Sequence, residues 1–129
     1  MQSLCLRGKV FSGRSEGTKF IKLRWVKNQI KEKLGFTPYP GTLNIRLSQR
    51  NVKLKKSLRE ANGIEILPAL GFCRGKLFKA CLMGSVECAV VFPEVADYPE
   101  DVIEVIASTN LREKLHLVDG DLVDLKIML

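Results

Sequence analysis

Apolar residues alternate with polar ones in short stretches along most of this chain, and only one segment carries a helical period. Side chains on a strand point to opposite faces in turn, so a period of two marks a strand with one buried face. Leu4, Leu6, Gly8 and Val10 alternate with Cys5, Arg7 and Lys9. Residues 42–47 place Leu43, Ile45 and Leu47 on one face. Further strands are expected at 64–70, 76–82, 86–92, 102–107 and 122–128, with turns at Cys73-Arg74-Gly75, Met83-Gly84-Ser85 and Asp119-Gly120. The exception is Leu23, Val26, Ile30 and Leu34, which recur at helical spacing for about three turns. Gly35 then stands where a left-handed residue ends a helix. Six or seven short strands with one main helix predict a mainly β, largely antiparallel small barrel. A doubly wound sheet would need more alternating helices.

The rest of the chain reads as connections. Ser12-Gly13-Arg14-Ser15-Glu16-Gly17-Thr18 is rich in turn formers, and Phe36-Thr37-Pro38-Tyr39-Pro40-Gly41 excludes regular structure. Residues 49–62 are basic and polar, a connection or a frayed helix, and 93–101 form an acidic loop. Residues 110–115 read as a helical turn. The 129 residues fit a single domain spanning 1–129. A chain of that size buries about two-thirds of its surface, enough for a core without staples.

Charge is unevenly spread. Residues 1–60 carry 15 Lys and Arg against 3 acids, a balance of +12, while residues 61–129 carry 6 against 11, a balance of −5. The basic half suits an anionic partner such as a phosphate, a nucleotide or nucleic acid. No apolar run is long enough for a membrane-spanning helix, and the N-terminus lacks a signal-peptide stretch, so a cytoplasmic protein is expected. Cys5, Cys73, Cys81 and Cys88 lack Cys-x-x-Cys spacing, and the single histidine, His116, has no cysteine near it in sequence. That argues against a zinc site and for buried, reduced thiols.

Three stretches carry candidate chemistry. Glycines in Gly13-Arg14-Ser15-Glu16-Gly17 would let backbone N–H groups approach an anion, with Arg14 and Lys19 adding charge; the same residues also make an ordinary turn. Thr42 and Asn44 share a strand face beside a tight turn. Their oxygens suit a hard cation such as magnesium, and equally a polar pair facing solvent. Glu104 interrupts Val102-Ile103-Glu104-Val105-Ile106 and either faces solvent or points into a site, where it would need partners. Trp25, Phe36 and Tyr39 read as packing residues, Asp119 and Asp121 as turn formers, and His116 takes no catalytic role.

In this order the motifs resemble the archaeal CTP-dependent riboflavin kinases over about residues 8–127. The most specific stretch is Leu34-Gly35-Phe36-Thr37-Pro38-Tyr39-Pro40-Gly41-Thr42-Leu43-Asn44. Gly8-Lys9-Val10-Phe11-Ser12-Gly13, Ile103-Glu104-Val105-Ile106-Ala107, Asn110-Leu111-Arg112-Glu113 and Asp119-Gly120-Asp121 support it. The resemblance implies a six-stranded cradle-loop (RIFT-like) barrel that moves a phosphoryl group from CTP to the 5′-hydroxyl of riboflavin, giving FMN and CDP. It implies that Arg14, Ser15, Glu16, Gly17, Thr18 and Lys19 lie along the nucleotide, held also by Asn110, Leu111, Arg112 and Glu113. It implies Mg²⁺ on Thr42 and Asn44, with Asn44 and Glu104 as the catalytic pair and Glu104 and Ala96 on the flavin side. Three positions depart from the family pattern: Ser15 for a glycine, Ala96 for a flavin-contacting threonine, and Ser108 for a proline. A monomer is expected, with no nucleic acid and no membrane among its partners. Two rival readings remain: a nucleic-acid-binding barrel, favoured by the basic half, and a relative that binds flavin or nucleotide without turnover.

Overall fold

Antiparallel pairing closes six strands into a ring in this computed structural model, which describes residues 2–13, 16–67, 74–94 and 98–129 and gives only the backbone at 16, 17 and 20. Strand β1 (Ser3–Phe11) runs between β2 (Leu43–Leu47) and β7 (Leu122–Met128), with Val10 opposite Ile45 and Leu6 opposite Leu125. β2 continues to β6 (Val102–Ile106), β6 to β5 (Val86–Pro93), and β5 to β4 (Gly75–Leu82). β4 then meets β7 through Ala80 opposite Ile127 and Leu82 opposite Leu125, which closes the barrel and leaves that ring without an edge. The short β3 (Ile64–Ile66) takes the rest of the same side of β4, with Ile64 opposite Leu77.

The alternation read from the sequence is the inside–outside alternation of this barrel. Leu6, Val10, Leu43, Ile45, Leu47, Phe78, Leu82, Val90, Ile103, Val105, Leu125 and Ile127 fill the interior. A second core lies outside the ring. Helix α1 (Glu16–Lys22) contributes Ile21, and α2 (Arg24–Leu34) contributes Val26 and Ile30. These pack on Ile66, Leu77, Ala89, Val91 and Ile106 from β3, β4, β5 and β6. Each fully buried side chain of this kind stabilises by about 1.5–3 kcal/mol. Consequently β6 is buried on both faces, all five residues of it.

Several expectations need adjusting. The turn-rich stretch after β1 becomes helix α1 from Glu16, because Ile21 gains burial against the sheet that no local pattern announces. The strand expected over 64–70 pairs only over Ile64–Ile66, and 68–73 lie outside the described residues. Residues 49–62 hold two short helices, α3 (Gln49–Lys55) and α4 (Ser57–Glu60). With α5 (Leu111–Leu115) this makes five helices among the described residues, of which α2, at 11 residues, is the longest. Gly35 ends α2 at φ 81°, as its position predicts. Of the thiols, Cys88 is buried, Cys81 half-buried and Cys5 exposed, so burial holds for only one of the three described; Cys73 is outside the described residues. Burial and the neighbouring Cys81 push the Cys88 thiol up to about 12. Among the described residues, no helix is long and apolar enough to cross a membrane.

Candidate active site on the outer face of the barrel

Asn44 and Glu104 stand directly opposite each other on β2 and β6, so their side chains leave the same, outer face of the barrel. Neither faces open solvent: Asn44 is 8% exposed and Glu104 1%. A carboxylate so buried requires donors, and it has them. Thr42 Oγ1 donates to Glu104 Oε1 at 2.8 Å, and the Tyr98 hydroxyl donates to Oε2 at 2.6 Å. Thr18 from α1 brings its hydroxyl to 3.0 Å from that of Thr42. Thr18 on α1, Thr42 just before β2, Asn44 on β2 and Glu104 on β6 thus meet in one cluster, with Tyr98 joined to it through Glu104.

The donor set fits magnesium. The ion takes hard oxygen ligands at about 2.0–2.1 Å in octahedral array, which sets neighbouring ligands about 2.9 Å apart. Thr42 Oγ1 and Asn44 Oδ1 lie 3.5 Å apart, within a small side-chain adjustment of that edge. The Thr42 hydroxyl has a single proton and two acceptors, Glu104 Oε1 and Asn44 Oδ1, and the nearer acceptor is Glu104. The amide oxygen of Asn44, though buried, therefore keeps acceptor capacity for a cation.

Thr42 also opens into a cavity of about 140 Å³ walled by Tyr39, Leu43, Val105, Asn110, Leu111 and Arg112, among others. Asn110 caps α5, its Oδ1 accepting from the Glu113 N–H at 3.3 Å while its Nδ2 donates to the Tyr39 hydroxyl at 3.2 Å. Arg112 ties three segments together. Its Nη2 donates to Phe11 O at 3.1 Å, to Ser12 Oγ at 3.1 Å and to Asp119 Oδ1 at 2.7 Å. Hydrogen bonds from Arg112 and Ser12 hold the exposed Asp119 carboxyl below the usual carboxylate range.

Residues far apart in sequence therefore converge. Thr18, Thr42, Asn44 and Glu104 form the cluster, and Thr42 shares a cavity with Asn110, Leu111 and Arg112. Glu113 contributes its backbone N–H to Asn110, and its side chain is exposed. Lys19 lies exposed on α1. Arg14, Ser15 and Ala96, and the side chain of Glu16, lie outside the described residues, as does everything but the backbone of Gly17. Asp121 behaves as a turn former, its Oδ2 accepting from the Val118 N–H, whereas Asp119 is more than that through its pairing with Arg112.

Three side chains escaped the sequence reading. Tyr98 lies six residues before Glu104, a separation with no periodic meaning. Tyr39, read as a packing residue, is 41% exposed at the cavity. Lys55 is buried on α3, where nothing in a run of lysines distinguishes it from Lys53 or Lys56. Burial, with Arg59 adding to it and Asp101, Glu100 and Glu104 opposing, draws the Lys55 ammonium down to about 8.

Residues 10–127 match the sequence model of the CTP-dependent riboflavin kinase domain, described as a domain of unknown function, DUF120. The chain belongs to that family. A riboflavin kinase of Pyrobaculum aerophilum is 46% identical over 134 aligned residues, covering 98% of this chain and 62% of the relative. One from Archaeoglobus fulgidus is 40% identical over 128, covering 96% and 54%. One from Methanosarcina barkeri is 41% identical over 122, covering 92% and 54%. The chain thus spans between about half and three-fifths of the length of these relatives. Family membership bears out the resemblance drawn from the Leu34–Asn44 motif and its four companions.

Proposed function

We propose that the chain is a CTP-dependent riboflavin kinase, transferring the γ-phosphoryl group of CTP to the riboflavin 5′-hydroxyl. The observation that carries this reading is the Thr42, Asn44 and Glu104 cluster opening through Thr42 onto the Asn110–Arg112 cavity in a member of this family. In the reaction the ribityl oxygen bonds to the γ-phosphorus, the bond from that phosphorus to the bridging oxygen breaks, CDP leaves, and the hydroxyl proton is lost. Such a transfer asks a protein mainly for alignment and charge compensation.

Each residue then has a task. Asn110, Leu111 and Arg112 wall the nucleotide's cavity, with Glu113 fixing the Asn110 cap, and Arg14 through Lys19 would bind along the nucleotide. Thr42 Oγ1 and Asn44 Oδ1 would hold magnesium, whose contribution when bound is to neutralise phosphate charge. Glu104 holds the acceptor hydroxyl and takes its proton, its own carboxylate kept in place by Thr42 and Tyr98. Ala96 would lie against the flavin.

The test is incubation with riboflavin, magnesium and each of the four nucleoside triphosphates, followed by assay for FMN. FMN from CTP well above that from ATP, GTP or UTP supports the reading. No FMN, with saturable flavin or nucleotide binding, makes the chain a binding-only relative. No FMN, with steeply salt-dependent binding of DNA, favours the nucleic-acid reading.

A further inference from the structure

Lysine is almost never fully buried unless its charge is matched. Lys55 is 6% exposed, and among the described residues no carboxylate lies within ion-pair distance of it. Instead its three protons meet three backbone carbonyls: Val102 O at 2.7 Å, Pro99 O at 3.2 Å and Glu100 O at 3.2 Å. The ring centroids of Tyr98 and Phe92 lie 5.2 and 5.6 Å from Nζ, in cation–π range. All three carbonyls belong to the short segment that runs from Tyr98 into Val102, the first residue of β6.

That segment has few other anchors. Among the described residues, its backbone is held by Leu47 N–H to Asp101 O at 2.7 Å and by a long 3.4 Å contact from Val102 N–H to Pro99 O. Its two acids, Glu100 and Asp101, make loose ion pairs, Arg46–Asp101 at 3.6 Å and Arg59–Glu100 at 3.9 Å, all four groups well exposed. Yet the segment begins with Tyr98, whose hydroxyl reaches Glu104 Oε2 at 2.6 Å. A methionine at position 55 would fill the same space at a lower desolvation cost but would take the Lys55 donor from Glu100 O and Val102 O and leave Pro99 O with only the long Val102 N–H contact.

We propose that Lys55 is a positioning residue for the Glu104 carboxylate: its ammonium clamps the 98–102 segment and the Tyr98 ring, and Tyr98 in turn sets Glu104. The proposal rests on the reading of Glu104 as the group that meets the acceptor hydroxyl. Lys55 touches no reacting atom. It acts through a backbone cage and one phenol, so its removal should misplace a proton acceptor rather than weaken the nucleotide's hold.

Lys55→Met, Tyr98→Phe and the double variant are compared with wild type for FMN formation from riboflavin and CTP. Near-ultraviolet circular dichroism is recorded on each. Lys55→Met and Tyr98→Phe should each lower kcat about tenfold, the effect of one lost positioning hydrogen bond. KM for CTP should move less than about twofold, since neither residue walls the nucleotide cavity. The double variant should be no slower than Lys55→Met alone, because both act in one chain. The chain has two tyrosines, so the signal lost in Tyr98→Phe identifies the Tyr98 ring, and Lys55→Met should lose the same signal. If Lys55→Met does not fold, Lys55→Gln, which keeps a donor, takes its place and should show smaller losses of the same kind. A folded Lys55 variant with wild-type kcat, or with the Tyr98 signal intact, overturns the clamp. Losses that multiply in the double variant overturn the route through Tyr98. Wild type that forms no FMN from any nucleotide overturns the reading of the reaction instead, and with it the catalytic half of the proposal, while the Tyr98 signal still decides the clamp.

Discussion

Replacing Thr42 by valine keeps the shape of the side chain and removes one hydroxyl. That hydroxyl donates to Glu104 Oε1 at 2.8 Å and sits 3.0 Å from the hydroxyl of Thr18. Glu104 is 1% exposed, so bulk water does not replace the lost donor. A hydrogen bond to a charged group is worth about 1.5–3 kcal/mol. The Thr18 hydroxyl loses a partner as well, which keeps the expected cost in the upper part of that range. Unfolding entropy near 2.1 cal/mol/K per residue gives about 0.27 kcal/mol/K for a chain of this length, so the melting temperature should fall by about 8–11 °C. The assay is thermal unfolding of wild type, Thr42→Val and Thr42→Ser at neutral pH without ligand. Thr42→Ser keeps the hydroxyl and should stay within about 3 °C of wild type. Glu104→Gln and the double variant complete a cycle, in which the two losses should be less than additive because they remove one shared bond. A Thr42→Val chain that melts within about 2 °C of wild type would refute the claim that this hydroxyl sustains the buried carboxylate.

Asn44→Ala should behave in the opposite manner. Among the described residues the Asn44 side chain makes only the 3.5 Å contact, so melting should stay within about 3 °C of wild type while FMN formation falls at least about a hundredfold at saturating magnesium. Near-normal turnover would remove Asn44 from the metal site. Gly8→Ala should cost about 2–3 kcal/mol in a urea titration, since a Cβ there would stand 2.5 Å from both Arg46 O and Ile45 Cγ2 and force β1 away from β2. An unchanged urea midpoint would show that this strand pair yields easily. The Lys55 ammonium is drawn down to about 8, below the usual value near 10.4, so between those pH values the unfolded chain holds the proton that the folded chain has released. Stability of wild type relative to Lys55→Met should therefore rise from about pH 8 to 10 and be level below pH 7; a fall over that range would contradict the sign.

The linear pattern was sufficient for the barrel because alternation is local. Leu43, Ile45 and Leu47 face inward for the same reason that they alternate, and Gly35 ends α2 where it does because only glycine takes φ 81° freely. The chemistry-bearing residues Thr42, Asn44 and Glu104 were also visible, because an amide beside a turn and an acid inside an apolar strand break the pattern around them. Their grouping was not. Asn44 meets Glu104 through the β2–β6 register, across 60 residues of chain, and strand register depends on which surfaces can be buried together. The apolar run of β6 reads as a buried strand interrupted by Glu104, and burial of all five residues bears that out; what covers its outward face, α1 and α2 packed over the sheet, belongs to the second core and is not legible in the strand itself. Lys55 shows the limit most plainly. A lysine in a basic, polar stretch reads as solvated, and only the folded chain, by bringing three carbonyls and two aromatic rings around its ammonium, makes burial of that charge affordable.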